Sequence, residues 1–117
     1  MKLTTTLFEI SVEGQVSTKS SHTHNEWKNR LEKELQSIPS SLTRDSNLSI
    51  TILVWIQTRR LDCIGRNDVD NIAKTTLDSI VRSGLIQDDS VIYDLHVTKY
   101  PTDGPEQMIL SAQEWIK

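Results

Sequence analysis

The chain has 117 residues, a formal net charge of -3 and a single cysteine, Cys63. This length predicts one domain, spanning residues 1–117, with a core of modest size. One cysteine excludes an intrachain disulfide and favours a reducing compartment, so we expect the protein in the cytoplasm. The first residues lack the apolar run of a signal peptide, and no stretch is apolar enough to cross a membrane, so no membrane partner is expected.

The first half of the chain predicts a strand, a helix and a second strand. Residues 3–12 combine apolar residues with threonines, which is typical of a strand, and a polar loop follows to residue 24. Asn25 is the predicted N-cap of a helix whose apolar residues recur at helical spacing and which ends before Pro39. Residues 48–58 predict a central strand with apolar side chains on both faces, so we expect both faces to be covered.

The second half predicts a helix and two further strands. The helix begins at Asp68 or Asp70 and ends by Ser83, with Gly84 as the residue that terminates it. Residues 91–100 and 106–115 predict strands, and the turn-forming residues 101–105 between them predict a hairpin. The order β-α-β-α-β-β predicts an α+β domain with helices packed on a mixed sheet. The apolar face of the helix is predicted to consist of Val69, Ile72, Ala73, Thr76, Leu77 and Ile80.

Acidic residues are concentrated on the other side of this helix and just after it. Each has an ordinary explanation when it is taken alone. Asp68 and Asp70 suit a helix N-terminus, where a carboxylate accepts backbone N–H bonds, and the Asp88-Asp89 pair suits a turn. Lys74 suits an i+4 pair with Asp70, which is worth only about 0.3 kcal/mol.

Together, these residues have no shared structural explanation. Carboxylates at close range repel one another unless a cation lies between them. Mg²⁺ prefers carboxylates, waters and substrate phosphate oxygens as ligands. The negative net charge by itself argues mildly against a nucleic-acid partner, but a bound cation would offset much of it. The pattern therefore predicts metal-dependent chemistry on a phosphate ester. Its members, in chain order, are Asp68, Asp70, Asn71, Lys74, Asp78, Asp88, Asp89 and the strand residue Lys99.

This pattern resembles the RusA-type Holliday-junction resolvases, small endonucleases of phage and bacterial recombination. The specific residues of the resemblance lie between positions 68 and 99, and the chain length and the order of elements also fit. The resemblance implies an endodeoxyribonuclease that resolves four-way DNA junctions by paired symmetrical nicks. A four-way junction has twofold symmetry, so the resemblance also implies a homodimer with two acidic sites.

The resemblance assigns roles to individual residues. In the family, three aspartates bind the metal: two from an Asp-x-Asp-Asn motif and one from a later Asp-Asp pair. By the resemblance, the corresponding residues of this chain are Asp68, Asp70 and Asp89. Asp88 is an additional neighbouring carboxylate. Lys74 carries over as the motif lysine, so Asp68, Asp70, Lys74 and Asp89 are the expected catalytic residues and Mg²⁺ is the expected cofactor. We expect Lys74 to stabilise the negative charge that develops on the phosphate.

The chain departs from the family in its basic residues. Family members carry a basic, aromatic-bearing segment near the N-terminus, whereas residues 17–24 contain one lysine, Lys19, and no aromatic side chain. Further positive charge precedes the acidic motif at Arg59, Arg60 and Arg66. These four residues are therefore the predicted DNA contacts, and branched DNA is the predicted partner.

Two other functions stay open, a non-catalytic DNA-binding relative and a metal-dependent nuclease for another branched nucleic acid. Retention of every motif carboxylate and of Lys74 argues against the first. The number of metal ions and of chains that build one site also stays open. From Asp70 to Ser83 a helix rises about 20 Å, and the chain from Gly84 to Asp89 can return at most about 17 Å. Asp89 therefore meets Asp70 of its own chain only if the return runs straight.

Overall fold

The computed structural model describes residues 5–17, 22–61 and 68–115. No helix within these ranges is long and apolar enough to cross a membrane. The described elements are β1 (Thr6–Glu13), α1 (His22–Gln36), β2 (Leu48–Gln57), α2 (Thr58–Leu61), α3 (Val69–Arg82), β3 (Ile92–Thr102) and β4 (Gln107–Glu114), with short 3-10 helices at Ser40–Leu42 and Asp89–Val91.

The four strands form one mixed sheet in the order β1-β4-β2-β3. β2 and β3 are parallel and joined through α3, because parallel neighbours need a crossover connection. β4 lies between β1 and β2 and is antiparallel to both. The predicted α+β class with helices on a mixed sheet is confirmed, and the observed element order contains one additional helix, the four-residue α2.

The predicted hairpin between the last two strands is wrong. After β3 the chain crosses the end of β2 and pairs with the opposite edge of β2 as β4. The apolar residues of β4 explain this route, since Met108, Leu110 and Ala112 are fully buried. A hairpin would place β4 outside β3 at the edge of the sheet, whereas the observed position places these side chains in the middle of the core.

The helices cover one face of the sheet. Alternate residues of β2 from Leu48 to Ile56 are fully buried, whereas the residues between them are partly exposed. The expectation that both faces of this strand are covered is therefore wrong. Two of the four intervening residues, Ser49 and Thr51, are polar, and the apolar Trp55 stacks on Tyr100 of the neighbouring strand, with ring centroids 5.1 Å apart.

α1 begins earlier than the sequence predicts. It starts at His22, so the predicted N-cap Asn25 lies inside the helix. No proline or glycine interrupts residues 22–25, and the buried Trp27 and Leu31 hold the helix against the sheet, so helical geometry extends a turn towards the N-terminus. The predicted end before Pro39 is confirmed, since the helix finishes at Gln36.

α3 agrees closely with its prediction. It runs over Val69–Arg82 with Ser83 as the C-cap, and Gly84 follows with a φ of 88°, a conformation that glycine adopts without strain. Ile72 and Ile80 of the predicted apolar face are buried. Val69 is an exception, because it is the first residue of the helix and its side chain is 45% exposed.

A buried carboxylate joins three segments where the chain crosses the end of β2. The side chain of Glu106 is 5% exposed and forms an ion pair with Arg60. It also accepts hydrogen bonds from the backbone N–H groups of Val16, at 3.2 Å, and Gln57, at 3.0 Å. The Arg60 guanidinium in turn donates to the Val16 carbonyl oxygen at 2.8 Å. We call Val16, Gln57, Arg60 and Glu106 the corner cluster.

We predict that Glu106→Gln destabilises the protein. Glutamine keeps one acceptor oxygen but leaves the Arg60 charge without its partner in a largely buried position. Removing one member of a buried ion pair costs about 3 kcal/mol, which corresponds to a fall in Tm of about 10 °C for a domain of this size. Thermal unfolding followed by circular dichroism measures the change.

Glu9→Gln is the matched control, because Glu9 is an exposed residue of β1 and undergoes the same chemical change. Its Tm should stay within about 2 °C of the unmodified protein. Equal Tm values for the two variants would contradict the structural role assigned to the corner cluster.

Candidate functional site

The start of α3 presents two exposed carboxylates, those of Asp68 and Asp70. Asp68 occupies the N-cap position, and its backbone carbonyl accepts the N–H of Ile72 at 2.9 Å. Its side chain, however, makes no capping hydrogen bond. Asp70 lies in the first turn, and both side chains are exposed. Capping therefore does not account for the Asp68 carboxylate, which faces solvent at the positive end of the helix.

Lys74 and Asp78 continue the polar side of α3. Residues 70, 74 and 78 are spaced by four positions, so their side chains follow one another along one side of the helix. Both Lys74 and Asp78 are exposed. The helix rises about 6 Å over four residues, so Lys74 lies between Asp70 and Asp78 on this side of the helix.

Asp88 and Asp89 lie at the opposite end of α3. The Asp88 carboxylate accepts the backbone N–H of Ser90 at 3.0 Å and so caps the 3-10 helix Asp89–Val91. Asp89 is the first residue of that helix and is exposed. Asp88 thus has a local structural role, which is to hold the backbone that carries Asp89.

The two neighbouring carboxyl groups have opposite pKa shifts. The Ser90 N–H bond is the main reason why the pKa of Asp88 lies below its ordinary value of 3.8. The pKa of Asp89 is raised above 3.8, first by its hydrogen bond with Asp88, then by partial desolvation and by the negative charges of Asp88 and Asp78. A like charge disfavours ionisation, and Asp78 is near enough to contribute, since it lines one groove together with Asp88 and Asp89.

The structure therefore places the predicted metal ligands in two groups. Asp89 neighbours Asp78, whereas Asp70 lies eight residues before Asp78, about 12 Å along the helix axis. Metal-bound oxygens lie about 2.1 Å from Mg²⁺, so one chain does not bring Asp89 to the same ion as Asp68 and Asp70 in this arrangement. Consistently, no group of three His, Cys, Asp or Glu side chains suited to a metal ion occurs among the described residues.

Asp78 is the site residue that sequence reasoning left unassigned. Its position on the polar side of the helix was visible in the sequence, but no spacing rule connects it to Asp89, which lies eleven residues later across a helix end. Leu85 and Ile86 are both buried in the core. Their packing directs the chain after α3 so that Asp89 lies near Asp78.

The predicted DNA contacts differ in their surroundings. Arg59 is exposed, and its Nε donates to the Gln57 side chain at 3.1 Å. Arg60 is partly buried and belongs to the corner cluster, where Glu106 and a backbone carbonyl hold its guanidinium. Lys19 and Arg66 lie outside the described residues.

Comparison with known proteins identifies one family. The model of the family described as endodeoxyribonuclease RusA matches residues 8–109, which is most of the chain. A similar curated protein is the crossover junction endodeoxyribonuclease RusA of Aquifex aeolicus (strain VF5), which is 28% identical over 69 residues, or 59% of this chain. The matched region spans 51% of that relative, about half of its length.

We predict that Asp88→Asn lowers the pKa of Asp89. The substitution removes a negative charge, and an asparagine amide group can donate a hydrogen bond to the ionised Asp89 carboxylate, so ionisation becomes easier. A pH titration followed by carboxyl carbon NMR measures the change in the metal-free protein. Asp103→Asn, an exposed change in the turn after β3, should leave the Asp89 titration unchanged. An Asp89 pKa that does not respond to Asp88→Asn would contradict this account of the pair.

Proposed function

The chain belongs to the endodeoxyribonuclease RusA family, and from this membership we propose that it is a Mg²⁺-dependent endonuclease that resolves four-way DNA junctions by paired symmetrical nicks. The observation that carries the proposal is the exposed start of α3, where the Asp68 carboxylate is not used for capping and Asp70 and Lys74 follow on the same helix. An exposed pair of carboxylates beside a lysine suits a cation that is shared with a phosphate.

In this proposal Asp68, Asp70 and Asp89 hold the metal. Carboxylate oxygens are the donors that Mg²⁺ prefers, so the donor set fits the ion. When bound, Mg²⁺ lowers the pKa of a coordinated water and polarises the scissile phosphate. Lys74 faces the phosphate and stabilises the charge that develops on it. Asp88 keeps Asp89 in place through its bond to Ser90 N–H.

We further propose that each site combines two chains. Asp68 and Asp70 lie at the start of α3, whereas Asp89 neighbours Asp78, about 12 Å further along the axis than Asp70. An antiparallel α3 from a second copy would place that copy's residue 89 beside Asp70 without moving the backbone of either chain. A twofold dimer of this kind carries two equivalent sites, which matches the twofold symmetry of a four-way junction.

We predict that Asp70→Asn abolishes cutting and preserves binding. Asparagine has a similar shape but removes one negative charge from the metal site, so cleavage of a synthetic four-way junction in Mg²⁺ should fall by about 10²-fold or more. Binding should persist or tighten, because repulsion of the phosphates is reduced. Cleavage is followed on denaturing gels and binding by fluorescence anisotropy.

Three controls define the outcome of this experiment. EDTA should stop cutting by the unmodified protein, and a linear duplex of the same sequence should be cut much less than the junction. Asp103→Asn, the same chemical change in an exposed turn, should cut normally. Normal Mg²⁺-dependent cutting by Asp70→Asn would remove Asp70 from the metal site.

We predict that mixed dimers distinguish a shared site from a single-chain site. Asp70→Asn and Asp89→Asn subunits are each inactive alone. If sites are shared, a dimer of one Asp70→Asn chain and one Asp89→Asn chain carries one doubly damaged and one intact site, so nicking of a single strand returns on mixing.

The matched control mixes Asp70→Asn with Asp68→Asn subunits. Both changes then lie at the same end of α3, so every site stays damaged in either architecture and no nicking is expected. If the Asp70→Asn and Asp89→Asn mixture also stays inactive after the chains have exchanged, the shared site is excluded.

A further inference from the structure

A basic cleft lies at the end of the sheet where β1 and β2 finish and β4 begins. Its volume is about 400 Å³, and three arginines line it together with two glutamates. The lining residues that matter here are Arg30, Arg59, Arg60, Glu13 and Glu106.

The charged side chains at the floor of the cleft neutralise one another. Glu106 is buried and pairs with Arg60, so the charge of this arginine is neutralised within the corner cluster. Because Glu106 also accepts two backbone N–H bonds, the ends of β1 and β2 are held at fixed positions on either side. Arg60 therefore shapes the cleft and leaves recognition to the residues on its rim.

The rim carries two exposed arginines, each of which makes one hydrogen bond to a neighbouring segment. Arg30 donates to the Glu13 carbonyl oxygen at 3.1 Å, and Arg59 donates to the Gln57 side chain at 3.1 Å. Each of these bonds uses one of the five N–H donors of a guanidinium group. The planar fork of such a group matches the oxygens of a phosphate.

Gly14 is the residue that lets Arg30 lie across the end of β1. Its φ is 140°, and a Cβ atom at this position would lie 3.2 Å from Cδ of Arg30. Any other residue would strain the backbone and crowd the arginine stem. The glycine thus supports the direction in which Arg30 faces the cleft.

Positive charge continues beyond the cleft. A neighbouring groove shares Glu13 and Arg30 with it and adds Lys33 and Glu34, one turn further along α1. The exposed groups are then three cations, Arg59, Arg30 and Lys33, against two carboxylates, Glu13 and Glu34. This surface is net positive, whereas the whole chain carries a charge of -3.

The cleft lies at the same end of the sheet as the first two metal-site aspartates. β2 ends at Gln57 and α2 follows directly, whereas α3 runs back from this end towards the start of β3, which is parallel to β2. Asp68, at the N-terminus of α3, therefore lies at the cleft end of the domain. The cleft and the proposed metal site are thus expected at the same end of the domain, where one DNA molecule could contact both.

We propose that the cleft binds the sugar–phosphate backbone of the DNA away from the cut, with Arg30 and Arg59 as the phosphate ligands. The proposal rests on the proposed function for its ligand, a branched DNA, and adds a binding site that is separate from the carboxylates. Glu13 is the opposing charge on the rim, so its removal should strengthen binding, whereas removal of either arginine should weaken it.

The test measures binding of a labelled four-way junction by fluorescence anisotropy in EDTA over a range of salt concentrations. Arg59→Gln and Arg30→Gln should each raise the Kd about tenfold at moderate salt and reduce the slope of log Kd against log salt concentration by about 0.9. Glu13→Gln should lower the Kd. Arg44→Gln is the matched control, since Arg44 is an exposed arginine that lines a cavity elsewhere.

The outcomes separate the two proposals. If Arg59→Gln and Arg30→Gln keep the slope of Arg44→Gln, the cleft is not a phosphate site and the proposal is overturned. If the unmodified protein binds DNA but never cuts a junction, the proposed function fails. In that case a reduced slope for both arginine variants on linear duplex still supports the cleft.

Discussion

The central position of β2 is the constraint on which the rest of the structure depends. Its alternate residues from Leu48 to Ile56 have no exposed surface, so strands must flank it on both sides and helices must cover that face. β3 occupies one edge through the α3 crossover, which leaves β4 the other edge. The chain must then cross the end of β2, and Glu106 is the residue that makes the crossing stable, because it accepts the Gln57 N–H and pairs with Arg60.

The same crossover sets the geometry of the acidic residues. Because α3 connects the end of β2 to the start of β3, its two termini lie at opposite ends of the sheet. Asp89 neighbours Asp78, so most of the length of the helix separates it from Asp68. A metal ion needs its ligands within a few ångströms of one another. This separation is the reason for proposing a site that two chains share, and in that proposal the chemistry depends on assembly of the dimer.

The positions of the basic residues also depend on the tertiary structure. Arg59 and Arg60 are neighbours in the sequence, yet the structure gives them different environments, since one is exposed and the other is paired with a buried carboxylate. Arg30 comes from a distant helix and joins Arg59 at the cleft because β1 and β2 finish at the same end of the sheet, on either side of β4. The exposed arginines of the cleft are therefore brought together by the fold at the end of the sheet and not by their positions in the sequence.

The sequence by itself determined the class of fold, the limits of α3 and the acidic motif. These depend on local periodicity, on Gly84 at a helix end and on the spacing of Asp68, Asp70 and Lys74 along one helix. Tertiary structure decided the rest. The turn-rich residues after β3 suit a hairpin locally, but burial of β4 in the middle of the sheet outweighs that preference, and the closeness of Asp78 to Asp89 depends on how the chain packs after the helix. Pairing of strands and contacts between distant segments are set by the shared core, which no local pattern encodes.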